Sequence, residues 1–139
     1  MSLVQGGEVT ITDGKVTTAA KGANGICAAN SGTVTISGTI ITSTDSASAR
    51  GVHATYLGKV TASDVTISST CGSCSTLAID RGERTISFRG CTLNTAGAGS
   101  LLIYLTGNIT VSKKQELKLE HKWLLLKGKI LQLNKKVLL

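Results

Sequence analysis

Gly32-Thr33-Val34-Thr35-Ile36-Ser37 is one of five versions of a single hexapeptide. The others are Gly7-Glu8-Val9-Thr10-Ile11-Thr12, Gly58-Lys59-Val60-Thr61-Ala62-Ser63, Gly82-Glu83-Arg84-Thr85-Ile86-Ser87 and Gly107-Asn108-Ile109-Thr110-Val111-Ser112, so the leading glycines stand 25, 26, 24 and 25 residues apart. A fixed period in this range marks a solenoid, in which each repeat buries its apolar face only against its neighbours. Alternation within the hexapeptide puts Val9, Ile11, Val34, Ile36, Val60, Ala62, Ile86, Ile109 and Val111 on one face, with Arg84 breaking the column.

Two further apolar columns keep the same period. One runs through Val16, Ile41, Ile67 and Leu93, with Val65 and Cys91 two residues ahead of its last members. The other runs through Ile26, Val52, Leu77 and Leu101, followed two residues on by Ala28, Ala54, Ile79 and Ile103. Three columns in register predict three parallel sheets stacked around one narrow core. Turn signals such as Asp13-Gly14, Asn30-Ser31-Gly32, Arg50-Gly51 and Arg81-Gly82 fall between them. Composition agrees: aromatics make up 3% of the 139 residues and proline is absent, so the chain can fill a thin interior but not a broad one. A helical solenoid would need apolar residues at spacings of three and four, and the density of threonine and glycine opposes it.

Three strands and three corners per coil of about 25 residues resemble the right-handed parallel β-helix of pectate-lyase-like proteins and of bacterial and archaeal surface adhesins, including autotransporter-passenger-like domains. The resemblance covers Gly6 to Ser112. It implies an all-β, right-handed parallel β-helix of about four to five coils over residues 1–112, a piece of a longer solenoid, followed by a non-repeat tail over 113–139. It also implies a secreted or cell-surface, adhesin-like protein with a structural or glycan- and host-surface-binding role, which the scarcity of carboxylates makes non-catalytic in expectation. No signal peptide is expected from the first residues, and no run of eighteen apolar residues predicts a membrane span.

The outward positions of the hexapeptide form a ladder. Thr10, Thr35, Thr61, Thr85 and Thr110 make one rail, and Thr12, Ser37, Ser63, Ser87 and Ser112 the other. Such a T-x-[ST] grid, about 4.8 Å between coils and about 7 Å along the strand, is a candidate binding face and resembles the flat faces of ice-binding β-solenoids. It also suits threonine simply as a solvent-facing strand residue.

Other chemistry is sparse. Cys71 and Cys74 have C-x-x-C spacing without a second pair of ligands or a helix start, which predicts a local loop disulfide in an oxidising compartment rather than a metal or redox site. Cys27 and His53 share the outward position of the third strand on adjacent coils, and Cys91 points inward. A polysaccharide-cleaving relative would need clustered carboxylates. The repeats hold only Glu8, Asp13, Asp45, Asp64, Asp80 and Glu83, mostly at corners, and the one dense cluster, Asp80, Arg81, Glu83, Arg84 and Arg89, reads as a solvated corner. The expectation is therefore no enzyme, no cofactor and no metal, a fragment of a polysaccharide lyase or hydrolase being the alternative.

Residues 113–139 contain no serine or threonine, nine leucines and eight lysines. They carry eight basic and two acidic groups against seven and six in residues 1–112, so the net charge of +7 is almost wholly the tail's. No nucleic-acid motif accompanies that charge, and no nucleic-acid partner is expected. As a helix the tail would set Glu116, Glu120, Lys127 and Asn134 among its leucines; as a strand, Leu117, Leu119 and Trp123 would face one way, interrupted by His121. It reads as a capping segment or as a reading-frame accident, since the adjacent frame over Glu120 to Gln132 admits a small-apolar run closed by glycine, as at the end of a repeat. The uncapped ends of such a solenoid are expected to self-associate.

Overall fold

The structure, a computed structural model, describes residues 2–44, 47–81, 85–105, 108–112, 116–119 and 132–133. Gly82, Glu83, Arg84, Asp45, Gly107 and most of the tail lie outside the described residues. The described chain is all β, with no helix. Strands β1 (Ser2–Gln5), β2 (Glu8–Thr12) and β3 (Lys15–Thr18) make the first coil, and β4 (Asn24–Ala29), β5 (Thr33–Ser37) and β6 (Ile40–Ser43) the second. The third is β7 (Arg50–Thr55), β8 (Lys59–Ser63) and β9 (Thr66–Ser69), and the fourth β10 (Ser75–Asp80), β11 (Thr85–Arg89) and β12 (Thr92–Thr95). Then follow β13 (Leu101–Leu105), β14 (Asn108–Ser112), β15 (Glu116–Leu119) and β16 (Gln132–Leu133).

Every third strand pairs in parallel with its counterpart one coil away, giving a solenoid of about four turns. Sheet A has the order β1-β4-β7-β10-β13, sheet B β16-β14-β11-β8-β5-β2, and sheet C β15-β12-β9-β6-β3. Between the sheets runs one core of stacked Val34, Ile36, Ile41, Val60, Ile67, Ile86 and Leu93, each at most 1% exposed. Fully burying a side chain of this size contributes about 1.5–3 kcal/mol, and here it is buried by the facing sheets of its own coil together with the coils above and below.

Register corrects the expected columns at two places. Ile86 pairs with Val60 and Phe88 with Ala62, so the fourth coil lies two residues further along than the Gly82 alignment predicts. Phe88 fills the space left by the small Ala62, and both are buried. In sheet A, Ile103 rather than Leu101 pairs with Leu77. A slip of two residues keeps every side chain on its face, so alternation alone cannot distinguish the two registers. Beyond Ser112, β15 continues sheet C with Leu117 opposite Leu93, and β16 pairs with β14.

The corners account for the recurring glycines. A Cβ on Gly58 would lie 2.1 Å from the carbonyl oxygen of Ala28 one coil below, and one on Gly32 2.4 Å from that of Val4. No side chain fits there. At the corner between sheets B and C, residues 13, 38, 64 and 90 alternate Asp, Gly, Asp, Gly, all with φ between 52° and 65°. The Asp13 carboxylate lies over Gly38, where a Cβ would be 2.1 Å from Oδ1, and Asp64 covers Gly90 in the same way.

Candidate functional site

The outward face of sheet B carries the expected hydroxyl ladder in altered form. Thr10 pairs with Thr35 and Thr12 with Ser37, and Thr35 pairs with Thr61 and Ser37 with Ser63. In the fourth coil the two-residue offset places Ser87, not Thr85, opposite Thr61, and Arg89 opposite Ser63. Thr85 falls instead beside Lys59. Thr110 and Ser112 then pair with Ser87 and Arg89. One rail is therefore an unbroken hydroxyl column, Thr10-Thr35-Thr61-Ser87, with Thr110 the next residue in backbone register, while Arg89 interrupts the other. Thr10, Thr35 and Thr61 are exposed, and Ser37 Oγ stands 3.5 Å from Thr12 Oγ1.

At the corner between sheets C and A, the sulfurs of Cys71 and Cys74 are bonded. Ser100 ties this loop to the next coil, donating from Oγ to the Cys71 carbonyl at 2.6 Å and accepting from the Cys74 amide at 3.0 Å. Beside it lies an open pocket of about 330 Å³ whose lining includes Arg50, Ser73, Cys74, Ser75, Leu101 and Tyr104.

Sheet A holds a second constellation, which the register assembles from three coils. Ile26 and Ala28 belong to the core, so Cys27 between them faces outward, and His53 and Ala78 stack on it in register. His53 Nε2 lies 2.9 Å from Asp80 Oδ1, while Nδ1 lies 3.7 Å from Cys27 Sγ and 3.3 Å from Asn24 Nδ2. The Asp80 carboxylate fixes the tautomer: Nε2–H donates to it, and Nδ1 is left to accept from the thiol and the amide. Arg50 approaches the other carboxylate oxygen at 3.8 Å. Cys27 and His53 are 7% and 8% exposed.

Burial lowers the His53 pKa against the opposing pull of Asp80, and keeps the ring neutral. Burial, then the Asp80 charge, raises the Cys27 pKa, so the sulfur is a thiol at neutral pH. Burial pushes the Asp80 carboxyl up, but the hydrogen bond from His53, together with other favourable neighbours, outweighs it and holds the group below its usual range. The two ring nitrogens point in opposite directions, so Cys27 and Asp80 cannot share one ion with His53. Among the described residues no group of three His, Cys, Asp or Glu is placed to hold a metal.

Sequence reading paired Cys27 with His53 but assigned Asp80 to a solvated corner cluster. The signal that was available is arithmetic: positions 27, 53 and 80 are 26 and 27 residues apart, so the two-residue alternation sets Asp80 one outward place past the position in line with His53. The remaining described carboxylates are dispersed, with Asp13 and Asp64 two coils apart at their corner.

Fold and sites together define a three-sided parallel β-solenoid. No family model, curated protein or solved structure matches the chain. Among the described residues no helix is long and apolar enough to cross a membrane.

Proposed function

We propose that this chain is an adhesin-like solenoid segment of a secreted or cell-surface protein, and that its sheet B face engages glycans by binding alone. The observation that carries this reading is the unbroken column Thr10-Thr35-Thr61-Ser87 in register. Each hydroxyl can donate and accept, and the coil spacing of about 4.8 Å repeats that capacity along a line. Single contacts with a hydroxyl-rich ligand are weak, and repetition along the column multiplies them. The bonded Cys71 and Cys74 suit an oxidising compartment such as the cell exterior. Arg89 in the second rail counts against the ice-binding alternative, and the dispersal of Asp13, Asp64 and Asp80 counts against a polysaccharide lyase or hydrolase.

A glycan array probed with the full chain tests the reading. The expected result is binding to a restricted set of saccharides, lost on Thr35→Lys with Thr61→Lys and retained on Thr42→Lys, which alters sheet C. Binding to no glycan, or equal loss with all three substitutions, overturns it. Thermal hysteresis of the purified protein would transfer the ladder to ice.

A further inference from the structure

We propose that Cys27, His53 and Asp80 form an acyl-accepting thiol site, in which Cys27 attacks short aliphatic thioesters or activated esters, His53 is its general base and Asp80 positions His53. The arrangement is nucleophile, base and orienting acid in one hydrogen-bonded line, the pattern by which a weak nucleophile is activated. Its three members come from β4, β7 and β10, so the solenoid itself sets their spacing. The contacts of 3.7 Å and 2.9 Å leave the imidazole placed between donor and acceptor with no side chain needing to move far.

Asn24 supplies a further part. Its Nδ2 carries two hydrogens; one points to His53 Nδ1 at 3.3 Å, and the amide also reaches the Cys27 sulfur. The hydrogen that meets the sulfur in the resting state is placed to turn to an oxygen developing charge on the attacked carbon, the task of an oxyanion donor. Leu3, the in-register neighbour of Cys27 on the first coil, is 52% exposed and offers an apolar flank to an acyl chain. With Cys27 and His53 only 7% and 8% exposed, the sulfur can meet no more than a small acyl group.

The step balances within the site. Sγ bonds to the carbonyl carbon while its proton passes to His53 Nδ1. The tetrahedral intermediate then expels the thiolate or alkoxide, which takes the proton from His53, leaving acyl-Cys27 and a neutral ring. Water, giving its proton to His53, can release the acid and restore the thiol. A neutral thiol beside a neutral imidazole is the resting state this sequence needs.

The full chain is incubated with p-nitrophenyl acetate without reductant, so that the Cys71–Cys74 bond stays closed. Release of p-nitrophenolate is followed and the acetyl group is located by peptide mass spectrometry. The expected adduct is on Cys27, removed by Cys27→Ser, with the acylation rate lowered at least ~10²-fold by His53→Gln. The rate on the unaltered chain is expected to level off by neutral pH and to fall only below pH 6.5, the ordinary value for histidine, because burial lowers the His53 pKa. The groups facing that ring are Cys27 and Asn24 from β4, Asp80 and the adjoining Arg81 from the β10 side, and Arg50 on its own strand. Asp80→Asn should lower the rate and move this limb, which a merely structural Asp80 would not do. Acetylation confined to lysines or Cys91, a rate unchanged in His53→Gln, or a rate that keeps climbing through pH 9.0, the ordinary thiol value, overturns the proposal. Should His53→Gln fail to fold, the pH profile of the unaltered chain decides.

Discussion

At the scale of single residues, His53 and Asp80 bind protons differently in the folded and unfolded chain, and both differences act in one direction. The His53 pKa is lowered by burial, so below pH 6.5 the unfolded chain takes up a proton the folded ring resists, and stability falls as the solution is acidified. The Asp80 pKa is lowered by its partners despite burial; its contribution is present above the ordinary carboxyl value of 3.8 and is lost as pH falls through the folded value. Acid unfolding should therefore begin in the histidine range and steepen around the ordinary carboxyl value of 3.8, where Asp80 of the unfolded chain takes up its proton ahead of the folded one. Urea midpoints measured from pH 8 to 3 check this, and His53→Gln should remove the upper limb and shrink the lower one, since Asp80 loses the hydrogen bond that helps hold its pKa down. The spacing of 27 residues sets His53 and Asp80 at neighbouring outward places, but burial and the 2.9 Å contact that produce these shifts come only with the inter-coil register. The outward placement of Cys27 and His53 was legible, since alternation around Ile26, Ala28, Val52 and Ala54 sets it directly.

At the scale of elements, the corner between sheets B and C shows how one coil prescribes the residue of the next. Gly38 has φ +55°, a region costly for other residues, and a Cβ there would meet Asp13 Oδ1. Gly38→Ala should thus cost two separable amounts, about 1 kcal/mol for the backbone and a further 1–2 kcal/mol, roughly, for displacing the carboxylate. In Asp13→Gly the second part has no source, so Gly38→Ala made in that background should cost only the first. Denaturation of the two single variants and the double variant forms the cycle; strict additivity would mean that the carboxylate moves aside freely. Asp13-Gly14 was readable as a turn from composition, but the Asp-Gly alternation at residues 13, 38, 64 and 90 was not. All four positions fall outside the recurring hexapeptide, and the alternation becomes meaningful only once the coils are stacked.

For the whole molecule, stability should be distributed as in a one-dimensional stack, because each coil touches only its neighbours. The period and the three core columns were legible because the same apolar positions return about every 25 residues, whereas the shift of the fourth coil was not, since Ser87 and Thr85 suit the outward face equally. Ile36 pairs with Ile11 below and Ala62 above and is fully buried. Ile36→Asp places an unpaired carboxylate in that column and should cost several kcal/mol, while Thr35→Ser, one residue away on the exposed face, should move the denaturation midpoint by less than about 0.5 kcal/mol. A milder change separates stacking from global cooperativity. Ile36→Ala removes about 2–5 kcal/mol, and in a nearest-neighbour stack that loss is felt first where strands hydrogen-bond to the second coil. Amide exchange should accordingly quicken in β4 to β6, then in β2, β3, β8 and β9, and least in β11 and β12. Equal quickening across β2 to β12 would show that the coils open together and that the repeat is a pattern of sequence without a matching division of stability. If Thr35→Ser proved more damaging than Ile36→Asp, the two faces of sheet B would have to be exchanged, and the hydroxyl column with them.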